Sequence, residues 1–339
     1  MDFSNEQIIP FVHNALRTET DPQERLRFLR FTPEQTADYG LDGEGFPIRC
    51  RASANVTLDF ITDSDWLAIQ YDVQIASSRS FYGMDLFVDG SLHDSRIWEG
   101  FSSSEVLFDL PEGTHRITLF FPWSAEVMLR RFALSDGASA CPVPPKKLRI
   151  LMIGDSITQG YVAMHPGFTW AGEITRGLDA EVLNLGVGGY GFNINSLNHR
   201  IEWQPHLIIL AYGTNDYMGQ ESGAGYRQNA FAYMDGLTRM FPETPILQAL
   251  PIYRHDEKFV CLEKIRTYTF EDARRILRET AAAFPQVTVM ESGYFPHSAD
   301  YFAPDYLHPN DLGFRIMGER LAKEIRQMEF LLTYRHASE

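Results

Sequence analysis

Four short stretches of this chain hold residue types that can carry acyl-transfer chemistry together. Gly154-Asp155-Ser156 follows the apolar run Leu148–Ile153, and Gly186-Val187-Gly188-Gly189-Tyr190-Gly191 follows Val182–Leu185. Gly213-Thr214-Asn215-Asp216 comes just after Leu207–Ala211, and Asp305-Tyr306-Leu307-His308-Pro309-Asn310 lies nearer the end. Serine, histidine and aspartate can serve as nucleophile, general base and orienting carboxylate. Backbone amides in a glycine-rich turn and an asparagine side chain are donors that stabilise an oxyanion. Singly, each stretch has a plainer reading. Ser156 reads as a helix N-cap, Asn215 as a turn residue and Asp305 as a solvated loop carboxylate. His308 precedes Pro309 and is biased to extended backbone, so it reads as a helix entrance, with Asn310 or Asp311 capping Leu312, Ile316, Leu321 and Ile325. Their order, each stretch where one crevice should lie, favours the chemical reading.

The elements that must position them follow from the patterning. The apolar runs Leu148–Ile153, Val182–Leu185, Leu207–Ala211, Ile246–Leu250 and Val287–Met290 are separated by helical stretches such as Tyr226–Phe241 and Thr267–Phe284. Continuous apolar strands alternating with helices predict a parallel sheet covered on both faces. In such sheets the site lies at the carboxyl ends of the strands. Residues 25–134 differ. Asn55–Phe60 and Arg116–Leu119 are apolar at every second residue, and Val88-Asp89-Gly90-Ser91 supplies an Asp-Gly hairpin turn. Short alternating strands at this spacing predict an antiparallel β-sandwich of jelly-roll type. Asn5–Leu16 reads as a short leading helix, interrupted by Pro10. Ser135–Pro145 is small, polar and proline-rich, which is linker chemistry. The expected domains are 1–140, the sandwich, and 146–339, the α/β domain.

Composition narrows the function. The 339 residues suggest about two domains, and a net charge of −15 argues against nucleic acid and anionic membranes as partners. No run approaches the ~18–20 apolar residues of a membrane helix. The first residues, with Asp2, Glu6 and Pro10, do not read as a signal peptide, so the expected location is cytoplasmic. Cys50, Cys141 and Cys261 show neither metal spacing nor a disulfide framework. Gly186, Gly188 and Gly191 formally match a dinucleotide fingerprint, but on the second strand of the domain, and Asp155 stands in the first turn where a pyrophosphate would approach. No metal and no organic cofactor are expected. The expected partner is a small-molecule ester or acetylated oligosaccharide, and homo-oligomerisation is left open.

Together the four stretches resemble the SGNH hydrolase superfamily, also called GDSL esterases, over essentially all of 147–328. The Gly-Asp-Ser block is Gly154-Asp155-Ser156, with Ile157 where the family usually has leucine. The Asn-x-x-x-x-Gly rhythm from Asn184 points to Gly189 as the oxyanion glycine, with Gly188 as the alternative. The Gly-x-Asn-Asp block is Gly213 to Asp216, and the Asp-x-x-His block is Asp305 to His308. The G-x-S-x-G elbow of α/β-hydrolases is absent around Ser156. The resemblance implies a flavodoxin-like three-layer domain with a Ser156-His308-Asp305 triad. Its oxyanion hole would be the amides of Ser156 and Gly189 and the side chain of Asn215, with substrate contacts from Asp155, Tyr190, Asp216 and Trp123.

The sandwich carries a weaker resemblance. Gly83-Met84-Asp85-Leu86-Phe87 is similar to a Gly-x-Asp-Leu-Tyr motif in family members with such a domain, Phe87 replacing tyrosine. Carbohydrate esterases that remove acetyl groups share the architecture. The resemblance therefore implies a short-chain ester hydrolase, with acetylated carbohydrate as the favoured substrate. An acyltransferase on the same triad is the alternative, and a non-catalytic carbohydrate binder with a relic site is opposed by the intact residue set. Tyr161, Phe168, Tyr190, Phe192, Tyr217, Tyr253, Tyr294 and Tyr301 crowd the expected strand-end loops, where flat rings suit sugars, although each singly reads as packing. The sandwich is expected to pack on the catalytic domain and wall its crevice through Pro122-Trp123-Ser124, Asp85 and Trp98.

Overall fold

The computed structural model describes residues 1–220, 222–255 and 267–328. Its first part is a sandwich of two antiparallel sheets. One sheet runs β1 (Val12–His13), β4 (Thr57–Thr62), β9 (His115–Phe120), β6 (Phe81–Val88), β7 (Ser91–Glu99), with β11 (Ala140–Pro142) also on β4. The other runs β2 (Arg17–Thr20), β3 (Leu26–Leu29), β10 (Ala125–Leu134), β5 (Trp66–Ile75), β8 (Ser104–Asp109). Alternate residues such as Leu58, Phe60, Ile69, Tyr71, Leu86, Ile117, Val127 and Leu129 fill the core between them. The Asp-Gly turn joins β6 to β7, with both Asp89 and Gly90 at positive φ (48° and 81°), the backbone twist that a two-residue hairpin requires.

Three features differ from the sequence-based expectation. The leading helix α1 covers only Asn5–Ile8, because Pro10 lacks the amide to extend it, and the chain continues as a 3₁₀ turn into β1. The linker is partly structured, since Ala140–Pro142 pairs with Phe60–Thr62. Two helices interrupt the sandwich between β3 and β4: α2 (Pro33–Gly40), capped by Thr32 and Gln35, and α3 (Gly45–Cys50). Phe31, Tyr39 and Cys50 of this excursion are buried in the core of the second domain.

That domain has a five-stranded parallel sheet in the order β13 (Ala180–Gly186), β12 (Leu148–Gly154), β14 (Leu207–Ala211), β15 (Ile246–Ala249), β16 (Val287–Met290). Its strands point side chains alternately to two faces. Ile150, Met152 and Ile209 meet α5 (Trp170–Leu178) and α9 (Asp311–Gln327) on one side. Leu151, Ile153, Ile208 and Leu210 meet α7 (Gly223–Met240) and α8 (Phe270–Ala281) on the other. This three-layer α/β arrangement is flavodoxin-like in strand order, and β12 lies at its switch point, with β13 and β14 on opposite sides. Gly154 pairs in register with both Gly186 and Ala211, so three loops emerge at one level.

Among the described residues no helix is long and apolar enough to cross a membrane. Cys50 is buried and Cys141 exposed, both as free thiols; Cys261 lies outside the described residues.

Candidate active site

Ser156 opens the short helix α4 (Ser156–Gln159) directly after β12. Asp155, rather than Ser156, is the N-cap: its Oδ1 accepts from Ile157 N at 2.9 Å. The Ser156 hydroxyl is thereby left for other work. Its Oγ lies 2.8 Å from His308 Nε2, and His308 Nδ1 lies 2.8 Å from Asp305 Oδ2. The loop holding the last two is folded by its own aspartate. Asp305 Oδ1 accepts from the amides of Leu307 (3.1 Å) and His308 (3.0 Å), and Tyr306 between them takes φ 55°. Past His308, Asn310 caps α9 through Gly313 N, so the proline and cap signals also mark a helix entrance.

The carboxylates around Ser156 are tuned in opposite senses. Burial alone would raise Asp305, but the bond with His308 and the two amides outweigh it and hold the carboxyl down at about 2. Asp155 has no side chain bonded to it among the described residues, and the Arg254 charge that favours its carboxylate is a smaller influence than burial. Burial, then the nearby Asp216, push it up to about 7 despite its capping bonds. Burial raises Asp216 to about 6.

The glycine loop faces this pair. Gly186 lets α4 approach β13: a Cβ there would meet Gln159 N at 2.3 Å. Gly188 N donates to Gln159 Oε1 at 2.8 Å, whereas Gly189 N has no acceptor among the described residues. Gly189 sits at φ 81°. Of the two glycines left open by the sequence, only Gly189 therefore has an amide free for an oxyanion. Asn215 uses one amide hydrogen on Tyr190 O at 2.8 Å and keeps a second. A crevice of about 340 Å³ adjoins these donors, lined by Gly189, Asn215, Asn193 and Gln220 together with Asp42 and Phe46 of the sandwich domain. A second cleft, of about 290 Å³, lies at the opposite end of the sheet, beside Lys146, Ala180 and Glu181.

Of the four expected substrate contacts, Asp155 and Trp123 are buried away from the crevice lining, whereas Tyr190 and Asp216 line it. Asp155 is 2% exposed and committed to α4. Tyr190 lines the crevice but is 2% exposed overall, and its hydroxyl donates to Asp42 at 2.5 Å. Trp123 is also buried; its indole donates to Ala163 O at 2.7 Å and its ring packs on Tyr161. Each stands near the site, but the polar tip needs a partner when buried and takes one from the protein. Asp216 does border the crevice, while its Oδ1 accepts from Phe192 N.

The sandwich reaches the site through groups the sequence reading missed as well as some it named. Asp85 is fully buried and accepts from Gly167 N at 2.9 Å, with His165 Nδ1 3.0 Å away, tying β6 to the loop after α4. Trp98, in contrast, stacks on Tyr82 within the sandwich. Arg79, on the β5–β6 turn, lies 3.6 Å from Asp305 Oδ2 and covers the ring of Tyr161, which in turn lies against His308 at 4.6 Å. Ser78 bonds the Tyr161 hydroxyl. Arg49 of α3 donates to Gly188 O at 2.6 Å. No local pattern marks these residues; only the second resemblance hinted that the sandwich contributes.

The family model described as GDSL-like Lipase/Acylhydrolase matches residues 152–316. Among curated proteins none matches the chain. Solved structures of similar fold include the salicylyl-acyltransferase SsfX3 from a tetracycline biosynthetic pathway (TM-score 0.77, 21% identity, 96% of each chain covered). Another is a Bacteroides ovatus protein described as GDSL-like lipase (0.76, 20%, 95% of each). A family two carbohydrate esterase from Cellvibrio japonicus follows the same fold at 0.66, with 19% identity over 98% of each chain. These likenesses extend over both domains, so the arrangement of β-sandwich plus α/β domain is shared.

Proposed function

We propose, from the match of residues 152–316 to a GDSL-like lipase/acylhydrolase family model, that this protein is a serine ester hydrolase of the SGNH superfamily acting on short-chain, chiefly acetyl, esters of carbohydrates. The observation that carries the reading is the hydrogen-bonded chain from Ser156 Oγ through His308 to Asp305, with the unpartnered Gly189 amide nearby. The reading takes 1–140 as the sandwich domain and 146–339 as the catalytic one.

In this mechanism Asp305 accepts from His308 Nδ1–H, which leaves Nε2 as the basic nitrogen toward Ser156. His308 takes the Ser156 proton as Oγ attacks the ester carbonyl. Negative charge develops on the carbonyl oxygen among the amides of Ser156 and Gly189 and the Asn215 side chain, each donor contributing ~3–4 kcal/mol to the transition state. Asp305 stabilises the imidazolium, which protonates the departing alcohol. Water, activated by His308, then releases the acid from the acyl-enzyme. The low pKa of Asp305 supports this role, because the carboxyl stays charged throughout. Asn193, Gln220 and the Phe46 ring around the crevice suit hydroxyls and a ring face of a small polar substrate.

Transfer to a hydroxyl acceptor is the second reading, favoured by the likeness to a salicylyl-acyltransferase. The two differ only in what attacks the acyl-enzyme. Acetate release from p-nitrophenyl acetate and acetylated oligosaccharides, measured with and without acceptor alcohols, separates them. Ser156→Ala and His308→Ala should each remove nearly all turnover with the fold intact. More than a tenth of wild-type turnover in Ser156→Ala would exclude the serine as nucleophile.

A further inference from the structure

The Gly188–Gly189 peptide is held by a side chain from the other domain. Its carbonyl, Gly188 O, accepts from Arg49 Nη1 at 2.6 Å, across 139 positions of sequence. Its amide is Gly189 N–H, which has no acceptor among the described residues. Carbonyl and amide of one trans peptide lie in one plane and point in opposite directions. A cation fixed on the oxygen therefore aims the N–H and polarises it, as hydrogen bonds in a chain strengthen one another.

A glycine on each side leaves this peptide with little resistance to rotation. Gly188 N is anchored by Gln159, but that bond restrains the preceding peptide plane rather than this one. Arg49 is the side chain that holds the oxygen. It is braced in turn. Arg30, 1% exposed, donates to Arg49 O at 2.9 Å and also to Asn184 O and Gly186 O, locking the end of α3 to the end of β13. The Arg49 guanidinium lies beside the Phe46 ring at 5.5 Å and pairs with no carboxylate among the described residues. Its Cδ and the Ser156 Cβ lie 3.5 and 3.7 Å from the point a Gly188 Cβ would occupy, so both flank the same glycine.

We propose that Arg49, supplied by the sandwich domain, is a positioning residue for the oxyanion hole: it orients and polarises the Gly188–Gly189 peptide so that Gly189 N–H meets the developing oxyanion. This rests on the acyl-enzyme reading above. It makes the sandwich part of the catalytic machinery.

The test uses the full chain with Arg49→Met, Arg49→Gln and Arg49→Lys. Three quantities are read: kcat and KM on a small neutral acetate ester, the Ki of phenylboronic acid, and the melting temperature. Phenylboronic acid bonds the serine as a tetrahedral mimic, so its affinity reports the oxyanion hole. Arg49→Met should lower kcat about tenfold to a hundredfold, below the ~10²–10³ for deleting a donor outright. The boronic acid Ki should rise by the same factor while KM changes less than about twofold. Arg49→Lys should recover part of the loss, since an ammonium can hold one oxygen without the planar fork. Arg49→Gln replaces the methionine variant if that one does not fold. A folded neutral variant with wild-type kcat and Ki overturns the proposal, as does a loss of kcat with Ki unchanged. Ser156→Ala, run beside them, separates the two ideas: if it keeps its turnover, the acyl-enzyme reading itself is wrong.

Discussion

Asp305 at the mouth of the site and Asp155 on its floor hold their protons oppositely. Asp305 faces an imidazole and two amides and stays charged down to about 2. Asp155 is sealed beneath α4 with another carboxyl nearby and rises to about 7. Residue type does not separate them. The difference lies in what faces each one: bonds from His308 and two amides outweigh burial at the mouth, whereas on the floor burial and a second carboxyl outweigh the capping amides and Arg254.

The largest test of that contrast is Asp305→Asn. It keeps shape but cannot hold the imidazolium, and kcat should fall roughly 10³–10⁴-fold with the melting temperature little changed. A loss below tenfold would end the contrast. Next, Asn215→Ala should lower kcat by ~10²–10³ with a smaller change in KM, because it removes a rim donor used only in the transition state. An effect confined to KM would move Asn215 into ground-state binding. Arg79→Gln sharpens the picture of the mouth. At 3.6 Å and partly exposed, Arg79 makes a screened pair with Asp305, so the loss should be up to about fivefold and shrink in high salt.

The smallest effect on turnover belongs to the floor. Asp155→Asn keeps a good N-cap and should leave kcat close to wild type. Its signature is in stability. A carboxyl whose pKa is raised on folding binds its proton more tightly when folded, so its contribution weakens as pH rises from about 4 to about 7. Asp216, raised to about 6, adds in the same sense. Asp305 acts oppositely: its contribution is present above its unfolded value and is lost as pH falls toward about 2. Melting temperatures from pH 4 to 7 should decline less steeply in Asp155→Asn than in the wild type. Equal slopes would show that the floor carboxyl does not titrate there.

Much of the α/β domain was legible in the sequence because its signals are local. The strands at 207–211 and 287–290 coincide with their apolar runs, and the others differ by a residue or two at the ends. Three of the four chemical stretches stand where those strands end, so reading the strands also located the crevice. The alternating pattern and the Asp-Gly turn exposed the sandwich in the same way. Helices α2 and α3 went unread, since six to eight residues with prolines inside or at the start offer no clear periodicity.

Composition and short-range pattern by themselves determined the two fold classes, the order of the strands along the chain and the residues at the strand ends. Tertiary structure alone decided which of those residues face a crevice and which are buried: Trp123 looks like a substrate platform until Ala163 O claims its indole, while Tyr190 lines the crevice with its hydroxyl already given to Asp42. It also decided that Arg49 and Arg79, ordinary charges in the sandwich sequence, meet Gly188 and Asp305 across 139 and 226 positions. An arginine carries no local mark of its partner. Periodicity reports which face of an element is apolar, while a bond between two domains exists only once both have folded and docked.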